Sequence, residues 1–132
     1  MRVAVDTHAL LWYLGGSPQL SAAARQAIDA AVQVGDVVVS TGTLFDLTYL
    51  TEKGKLPADA LTLVRDVIAD LDRPFNLAPA TLRVLDHFAD PAFAQLRDPW
   101  DRLIVATATS EALPLVTRDG LITACGLVPT IW

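Results

Sequence analysis

Short apolar runs alternate along the chain with longer amphipathic or alanine-rich stretches. The apolar runs predict strands at Arg2–Asp6, Val37–Ser40, Phe75–Leu77, Leu115–Thr117 and Val128–Ile131. The stretches between them predict helices over His8–Leu14, Ser21–Val34, Thr43–Lys53, Pro57–Leu71, Pro79–Phe88, Trp100–Ala112 and Leu121–Cys125. Uninterrupted runs of Val are typical of strands that are covered on both faces.

This alternation of strands and helices predicts an α/β fold, a sandwich with a central, mostly parallel sheet flanked by helices. The length of 132 residues predicts one domain spanning residues 1–132. In sheets of this kind, ligands bind beyond the carboxyl ends of the strands, near the point where the strand order reverses. Polar residues at those strand ends are therefore the first candidates for a functional site.

Composition narrows the class of protein. Hydrophobic residues make up 52% of the chain and charged residues 19%, a globular composition that excludes disorder. A lone cysteine, Cys125, excludes an internal disulfide and a cysteine-based zinc site. We expect no signal peptide and no membrane span, since the uncharged stretch Thr7–Ala24 is interrupted by Gly and Pro. These features together predict a cytoplasmic protein.

The charge is acidic and unevenly composed. The formal net charge is −5, which argues against a simple basic nucleic-acid binder. Of the fifteen acidic residues, all but Glu52 and Glu111 are Asp. Aspartate is a poor residue for helix interiors but a common cap, turn and metal-ligand residue, so its excess calls for a structural or chemical explanation.

Four aspartates are predicted to converge at one end of the sheet. Asp6 closes the first strand, Asp119 follows the fourth, Asp101 lies in the first turn of a helix, and Asp46 lies one turn into another. Four like charges in one crevice raise each other's pKa unless a cation neutralises them. Mg²⁺ and Mn²⁺ prefer such oxygen ligands and would support metal-assisted attack of water on a phosphodiester.

Each of these acids also has a purely structural interpretation. Asp6 suits a helix cap, and Asp119 with Gly120 forms an ordinary turn dipeptide. Asp98 before Pro99 is a strong N-cap, which places Asp101 near the capping-box position. Asp46 could be a solvated helix residue. The joint placement of the four acids, and not any one of them, favours a functional site.

Three blocks of the sequence resemble the PIN-domain family, in particular its VapC-like toxin ribonucleases. The first is Val5-Asp6-Thr7-His8-Ala9-Leu10-Leu11-Trp12, which looks like the opening of these domains. Arg97-Asp98-Pro99-Trp100-Asp101-Arg102 resembles the third acidic motif, and Leu115-Val116-Thr117-Arg118-Asp119 the fourth. The resemblance extends from residue 2 to the last residue, with the blocks in the same order.

The resemblance implies a PIN-like three-layer sandwich and a metal-dependent endoribonuclease, the toxin of a type II toxin–antitoxin pair. It implies that Asp6, Asp101 and Asp119 hold Mg²⁺ or Mn²⁺, with RNA as substrate. Thr117 matches a hydroxyl residue that hydrogen-bonds to the acids, and Thr7 and Asp98 are predicted to support them in the same way. The implied partners are a cognate antitoxin, which occludes the acidic pocket, and a second copy of the chain in a homodimer.

The second block departs from the family pattern. Ser40-Thr41-Gly42-Thr43-Leu44-Phe45-Asp46-Leu47 stands where the family has Ser-x-x-Ser/Thr-x-Trp-Glu-Ile. Asp46 is one methylene shorter than Glu, so it is predicted to reach the metal directly or through water. This departure motivates an alternative: a PIN-fold regulatory or binding module with weak or no catalysis.

Three arginines flank the acidic blocks. Arg97, Arg102 and Arg118 are candidates for contacts to RNA phosphates, because Arg binds phosphate through two parallel hydrogen bonds. The alternative is that they pair with the neighbouring aspartates and orient them. A phospho-acceptor domain of the receiver type also has aspartates at strand ends, but Asp6 lacks the paired acid and Arg118 stands where that class has Lys.

Overall fold

The computed structural model describes all residues from Met1 to Trp132. Its strands are β1 (Val3–Val5), β2 (Val37–Ser40), β3 (Phe75–Ala78), β4 (Leu115–Val116) and β5 (Thr130–Ile131). Its helices are α1 (Thr7–Leu14), α2 (Ala22–Gln33), α3 (Thr41–Glu52), α4 (Ala60–Ala69), α5 (Leu82–Phe88), α6 (Pro99–Ser110) and α7 (Gly120–Cys125), with a 3₁₀ helix at Pro91–Gln95.

The five strands form one sheet in the order β3-β2-β1-β4-β5. Every neighbouring pair is parallel, so the prediction of a mostly parallel sheet is confirmed and the sheet is parallel throughout. The chain builds the sheet from β1 to β3 in one direction and then returns to the other side of β1 for β4 and β5. The reversal of strand order therefore lies between β1 and β4, the place where such sheets bind ligands.

Alternating side chains of each strand supply two cores, one on each face of the sheet. Val3 and Val5 pack into the core formed with α1, α2 and α4, whereas Ala4 packs into the core formed with α6 and α7. These strand residues are almost completely buried, which is why the strands contain uninterrupted apolar residues. Helices on both faces make this the predicted three-layer sandwich.

Helix ends differ from the sequence prediction where a side-chain cap or a turn decides them. Helix α3 begins at Thr41, two residues early, because the Ser40 hydroxyl accepts a hydrogen bond from the Gly42 amide at 3.0 Å. Helix α4 begins at Ala60 instead of Pro57, after a turn that contains the proline. Helix α5 begins only after Thr81, which caps it. The 3₁₀ helix was not predicted.

A close approach of two helices fixes the site. Helix α3 packs against α6 at Gly42, where an added Cβ atom would lie 3.2 Å from the Leu103 side chain and from the Trp100 carbonyl oxygen. The Ser40 and Thr107 hydroxyls, both buried, hydrogen-bond at 2.9 Å across the same contact. This packing holds the first turns of α3 and α6 side by side at the carboxyl end of the sheet. No helix in the structure has the length and apolar character needed to cross a membrane.

Candidate active site

A cavity of about 480 Å³ opens at the carboxyl ends of β1 and β4. We call it the acidic cavity, because five of its lining residues are aspartates. It is lined by Asp6, Thr7, His8, Trp12, Gln19, Asp46, Leu50, Asp98, Asp101, Arg118 and Asp119. The structure thus brings together the four acids that the sequence singled out, with Asp98 as a fifth.

Asp6 is placed by the end of β1 and the start of α1. Its carboxylate accepts a hydrogen bond from the Ala9 amide at 2.9 Å, so it is the N-cap of α1. Its second oxygen accepts a short hydrogen bond from the Thr117 hydroxyl. Burial raises the pKa of Asp6 above 3.8, and these two hydrogen bonds offset part of the rise. Asp6 therefore caps α1, as one interpretation predicted, and also lines the acidic cavity.

Asp119 is held by the same hydroxyl. The Thr117 oxygen accepts a hydrogen bond from the Asp119 backbone amide at 3.0 Å, and the Asp119 carboxylate caps α7 through the Leu121 and Ile122 amides at 2.8 and 3.0 Å. Thr117 is fully buried. One threonine thus links the acid after β1 to the acid after β4, the role that sequence assigned to it.

Asp46 projects from the second turn of α3. The Thr7 hydroxyl donates a hydrogen bond to one of its carboxylate oxygens at 2.7 Å, and Thr7 is itself buried. Burial raises the pKa of Asp46 above 3.8, while the bond from Thr7 lowers it in part. The other carboxylate oxygen of Asp46 accepts no hydrogen bond from the protein.

Asp101 is the aspartate of the cavity whose negative charge the protein offsets least. Its carboxylate accepts no hydrogen bond from the protein, and burial together with repulsion from Asp98, Asp119, Asp46 and Asp6 raises its pKa to about 7. Asp98 caps α6 by accepting hydrogen bonds from the Trp100 and Asp101 amides at 2.9 and 3.0 Å, which places Asp101 in the first turn. A cation at this position would relieve the repulsion.

The donor set suits an oxygen-seeking divalent cation bound by few protein ligands. No group of three or more His, Cys, Asp or Glu side chains is arranged to hold one ion directly. Mg²⁺ usually takes one or two carboxylates and completes its shell with water and substrate phosphate, which agrees with carboxylates that share a cavity without forming a closed cage. The acids present therefore fit such an ion, with water among its ligands.

The arginines are placed differently from one another. Arg118 lines the acidic cavity, with its guanidinium carbon 5.6 Å from the centre of the Trp12 ring. Arg102 instead donates to the Phe88 carbonyl, through Nε at 2.8 Å, and stacks over the Phe88 ring. Arg97 is exposed and does not line the cavity. Of the three candidates, only Arg118 is brought to the acids, and Arg102 ties α6 to the end of α5.

Sequence reasoning missed four residues that line the cavity, His8, Trp12, Gln19 and Leu50. His8 and Trp12 are four residues apart in α1, and Asp46 and Leu50 are four apart in α3. Residues at this spacing share a helix face, so the signal was present once Asp6 and Asp46 were assigned to the site. Gln19 follows α1 in a turn and carried no such signal.

Comparison with known proteins identifies the family and agrees with this fold. The PIN domain family profile matches residues 3–123, so the chain belongs to the PIN-domain family. It is 31% identical over 121 residues to "Ribonuclease VapC22" of Mycobacterium tuberculosis, covering 89% of this chain and 86% of that protein.

Two solved structures share the fold at low sequence identity. The DNA-bound VapBC structure from Salmonella typhimurium superposes with a TM-score of 0.69 at 18% identity, covering 98% of this chain and 96% of that one. VapBC2 from Rickettsia felis, bound to a promoter DNA fragment, gives 0.68 at 12% identity, covering 98% and 97%. At these identities the likeness shows the fold alone.

The raised pKa of Asp101 predicts a pH dependence of stability for the metal-free protein. Folded Asp101 keeps its proton to about pH 7, whereas unfolded Asp101 loses it near 3.8. Between about pH 4 and pH 7 the folded state therefore binds the extra proton, so Asp101 makes the free energy of unfolding fall as pH rises. Urea unfolding in EDTA should show this fall reduced in Asp101→Asn.

Asp66→Asn, an exposed substitution on α4, serves as the control and should keep the wild-type dependence on pH. Equal slopes in wild type and Asp101→Asn would show that Asp101 does not carry the excess proton.

Proposed function

We propose that the protein is an endoribonuclease dependent on Mg²⁺ or Mn²⁺ that hydrolyses RNA phosphodiesters and acts as the toxin of a type II toxin–antitoxin pair. The observation that carries this proposal is the convergence of Asp6, Asp46, Asp101 and Asp119 on one cavity at the carboxyl ends of parallel strands. Membership of the PIN-domain family and the likeness to a ribonuclease support it.

The metal-binding residues in this proposal are Asp6, Asp101 and Asp119, which would hold the ion in part through bridging water, with Asp46 binding directly or through water. A divalent cation there lowers the pKa of water and stabilises negative charge on the phosphate and the leaving oxygen. Asp101, which has no hydrogen-bond donor of its own, gains most from the cation.

The chain's own residues set the acids in place before any ligand binds. Thr117 joins Asp6 to Asp119, and Thr7 holds one oxygen of Asp46. Each hydroxyl fixes a carboxylate orientation that would otherwise be lost to mutual repulsion. Arg118 is the one permanently cationic side chain lining the cavity, and we assign to it a contact with an RNA phosphate. Arg97 is exposed in the short loop before α6 and does not line the cavity. Any contact it makes with an RNA phosphate would therefore lie outside the cavity.

Replacement of one carboxylate tests the activity. Asp6→Asn keeps the cap of α1 but removes the negative charge, so Mn²⁺- or Mg²⁺-dependent cleavage of single-stranded RNA should be lost while the fold remains. Cleavage is followed by gel electrophoresis and folding by circular dichroism. The control is Asp66→Asn, which should cleave like wild type because Asp66 is an exposed residue of α4.

Undiminished cleavage by Asp6→Asn would contradict the assignment of Asp6 to metal-dependent catalysis.

The second candidate function is a PIN-fold binding module without catalysis. It is motivated by Asp46 standing where the family has Glu and by the hydrogen bond between one Asp46 oxygen and Thr7. Failure of the wild-type protein both to cleave RNA and to bind Mn²⁺ at millimolar concentrations would favour this module.

The antitoxin in this proposal is a protein with a basic side chain that enters the acidic cavity. Its support is the cavity itself, with five aspartates against one arginine, together with fold neighbours described as VapBC complexes. A neighbouring short reading frame with a DNA-binding amino-terminal part and a basic, amphipathic carboxyl-terminal part is expected. Co-expression with an antitoxin that lacks this basic part should leave the ribonuclease active.

We propose that the pair acts in the cytoplasm, where the free Cys125 stays reduced.

A homodimer is the second proposed assembly, and α5 offers the surface for it. A groove of about 440 Å³ runs along α5 and is lined almost entirely by apolar side chains: Ala80, Thr81, Leu82, Val84, Leu85, Phe88 and Leu103. Leu82 is 78% exposed and Leu85 51% exposed. Exposed apolar side chains gathered on one face are a feature of protein–protein interaction sites.

A charge placed on this face tests the dimer. Leu85→Glu should convert a dimer to a monomer in sedimentation analysis, because an unpaired carboxylate would be buried at the interface. Leu71→Glu, at a side chain that is 96% exposed outside the groove, should leave the mass unchanged. A monomeric wild-type protein, or a dimeric Leu85→Glu variant, would contradict this assignment.

A further inference from the structure

Three aromatic side chains stack beside the acidic cavity. The Phe45 and Trp100 rings have centroids 5.2 Å apart and planes at 12°, and Tyr49 stacks on the same indole at 5.6 Å and 23°. Phe45 is nevertheless 49% exposed and Tyr49 46% exposed. We call these three residues the aromatic shoulder, and the proposed chemistry of the acids makes no use of it.

The aromatic shoulder adjoins the cavity on two helices. In α3, Asp46 and Leu50 line the cavity, and Phe45 and Tyr49 each precede one of them, so the rings lie about 100° around the helix from the cavity side. In α6, Trp100 directly precedes Asp101. The Gly42 contact between the two helices holds the rings together. A chain leaving the cavity over this edge would meet the rings next.

The charges of the protein itself, without the proposed cation, attract a strand of RNA only weakly to the cavity. The protein has a net charge of −5, and Arg118 is the one permanently cationic side chain that lines the cavity. Base stacking on aromatic rings does not depend on charge and strengthens binding by roughly 5- to 150-fold per base. Unpaired RNA bases are the ligands that proteins commonly bind in this way.

We propose that the aromatic shoulder is a stacking site for an unpaired RNA base next to the phosphodiester that occupies the acidic cavity. The ligand class rests on the proposed ribonuclease function. A protein partner that brings no basic side chain would have to bury the adjacent carboxylates of Asp46 and Asp101 unpaired, which is costly. A single strand leaves them open to solvent and cations, so RNA is the favoured occupant.

The test measures coupling between a ring and a base. Phe45→Leu and Tyr49→Leu keep an apolar side chain but remove the aromatic face. Binding to short single-stranded oligoribonucleotides is measured by fluorescence anisotropy in EDTA, using a series in which one nucleotide at a time lacks its base. We expect each variant to bind the intact strand about tenfold more weakly than wild type.

The abasic series then identifies the stacked base. At one position, loss of the base should weaken wild-type binding about tenfold but weaken the two variants little further, which is the signature of a direct contact in a double-mutant cycle. Phe45→Trp, which keeps an aromatic face, should retain the wild-type affinity and the coupling to the base. Leu63→Ala, at a side chain on α4 that is 46% exposed, is the matched control and should behave as wild type.

Salt separates stacking from phosphate binding. The loss caused by Phe45→Leu should be the same at low and high salt, whereas Arg118→Gln should flatten the salt dependence.

Three results would overturn the proposal: variants that bind RNA like wild type, abasic strands that weaken variants and wild type equally, or variants that change only the oligomeric state. Because these measurements need neither metal nor cleavage, they separate failure of the stacking site from failure of the proposed catalysis.

Discussion

Partial burial of several carboxylates in one cavity, with the repulsion between them, is the constraint on which the rest of the structure depends. The parallel sheet brings Asp6 and Asp119 to neighbouring strand ends, and the contact of α3 with α6 adds Asp46 and Asp101. The fold therefore concentrates negative charge at a place where burial makes charge costly. Such a site is unfavourable for stability alone, and its occurrence points to a positively charged ligand.

Backbone amides and hydroxyls supply the compensation that the chain has available. Asp6, Asp98 and Asp119 each cap a helix, so the positive end of a helix dipole faces each of them. Thr7 and Thr117 add hydroxyl donors. Asp101 alone receives none of these bonds, and its pKa is raised to about 7. The same arrangement thus contains both the helix caps and the acids to which we assign catalysis.

The sequence predicted the elements well and the site in part. Apolar runs located every strand, and the spacing of the acids placed all four on one cavity. Helix starts were missed at Thr41 and Ala60, where a serine cap and a proline-containing turn decide the boundary. The position of Arg102 could not be foreseen, since its bond to the Phe88 carbonyl depends on how α5 packs against α6. The stacked rings could not be foreseen either, since they depend on how α3 packs against α6.

We infer that the acidic cavity binds a divalent cation in place of the proton that Asp101 keeps up to about pH 7 in the metal-free protein. Calorimetric titration of Mn²⁺ in buffers of different ionisation enthalpy, just below pH 7, counts the protons released on binding. The wild-type protein should release protons on binding Mn²⁺, whereas Asp101→Asn should bind more weakly and release none. Binding without proton release, or no binding at millimolar Mn²⁺, would contradict it.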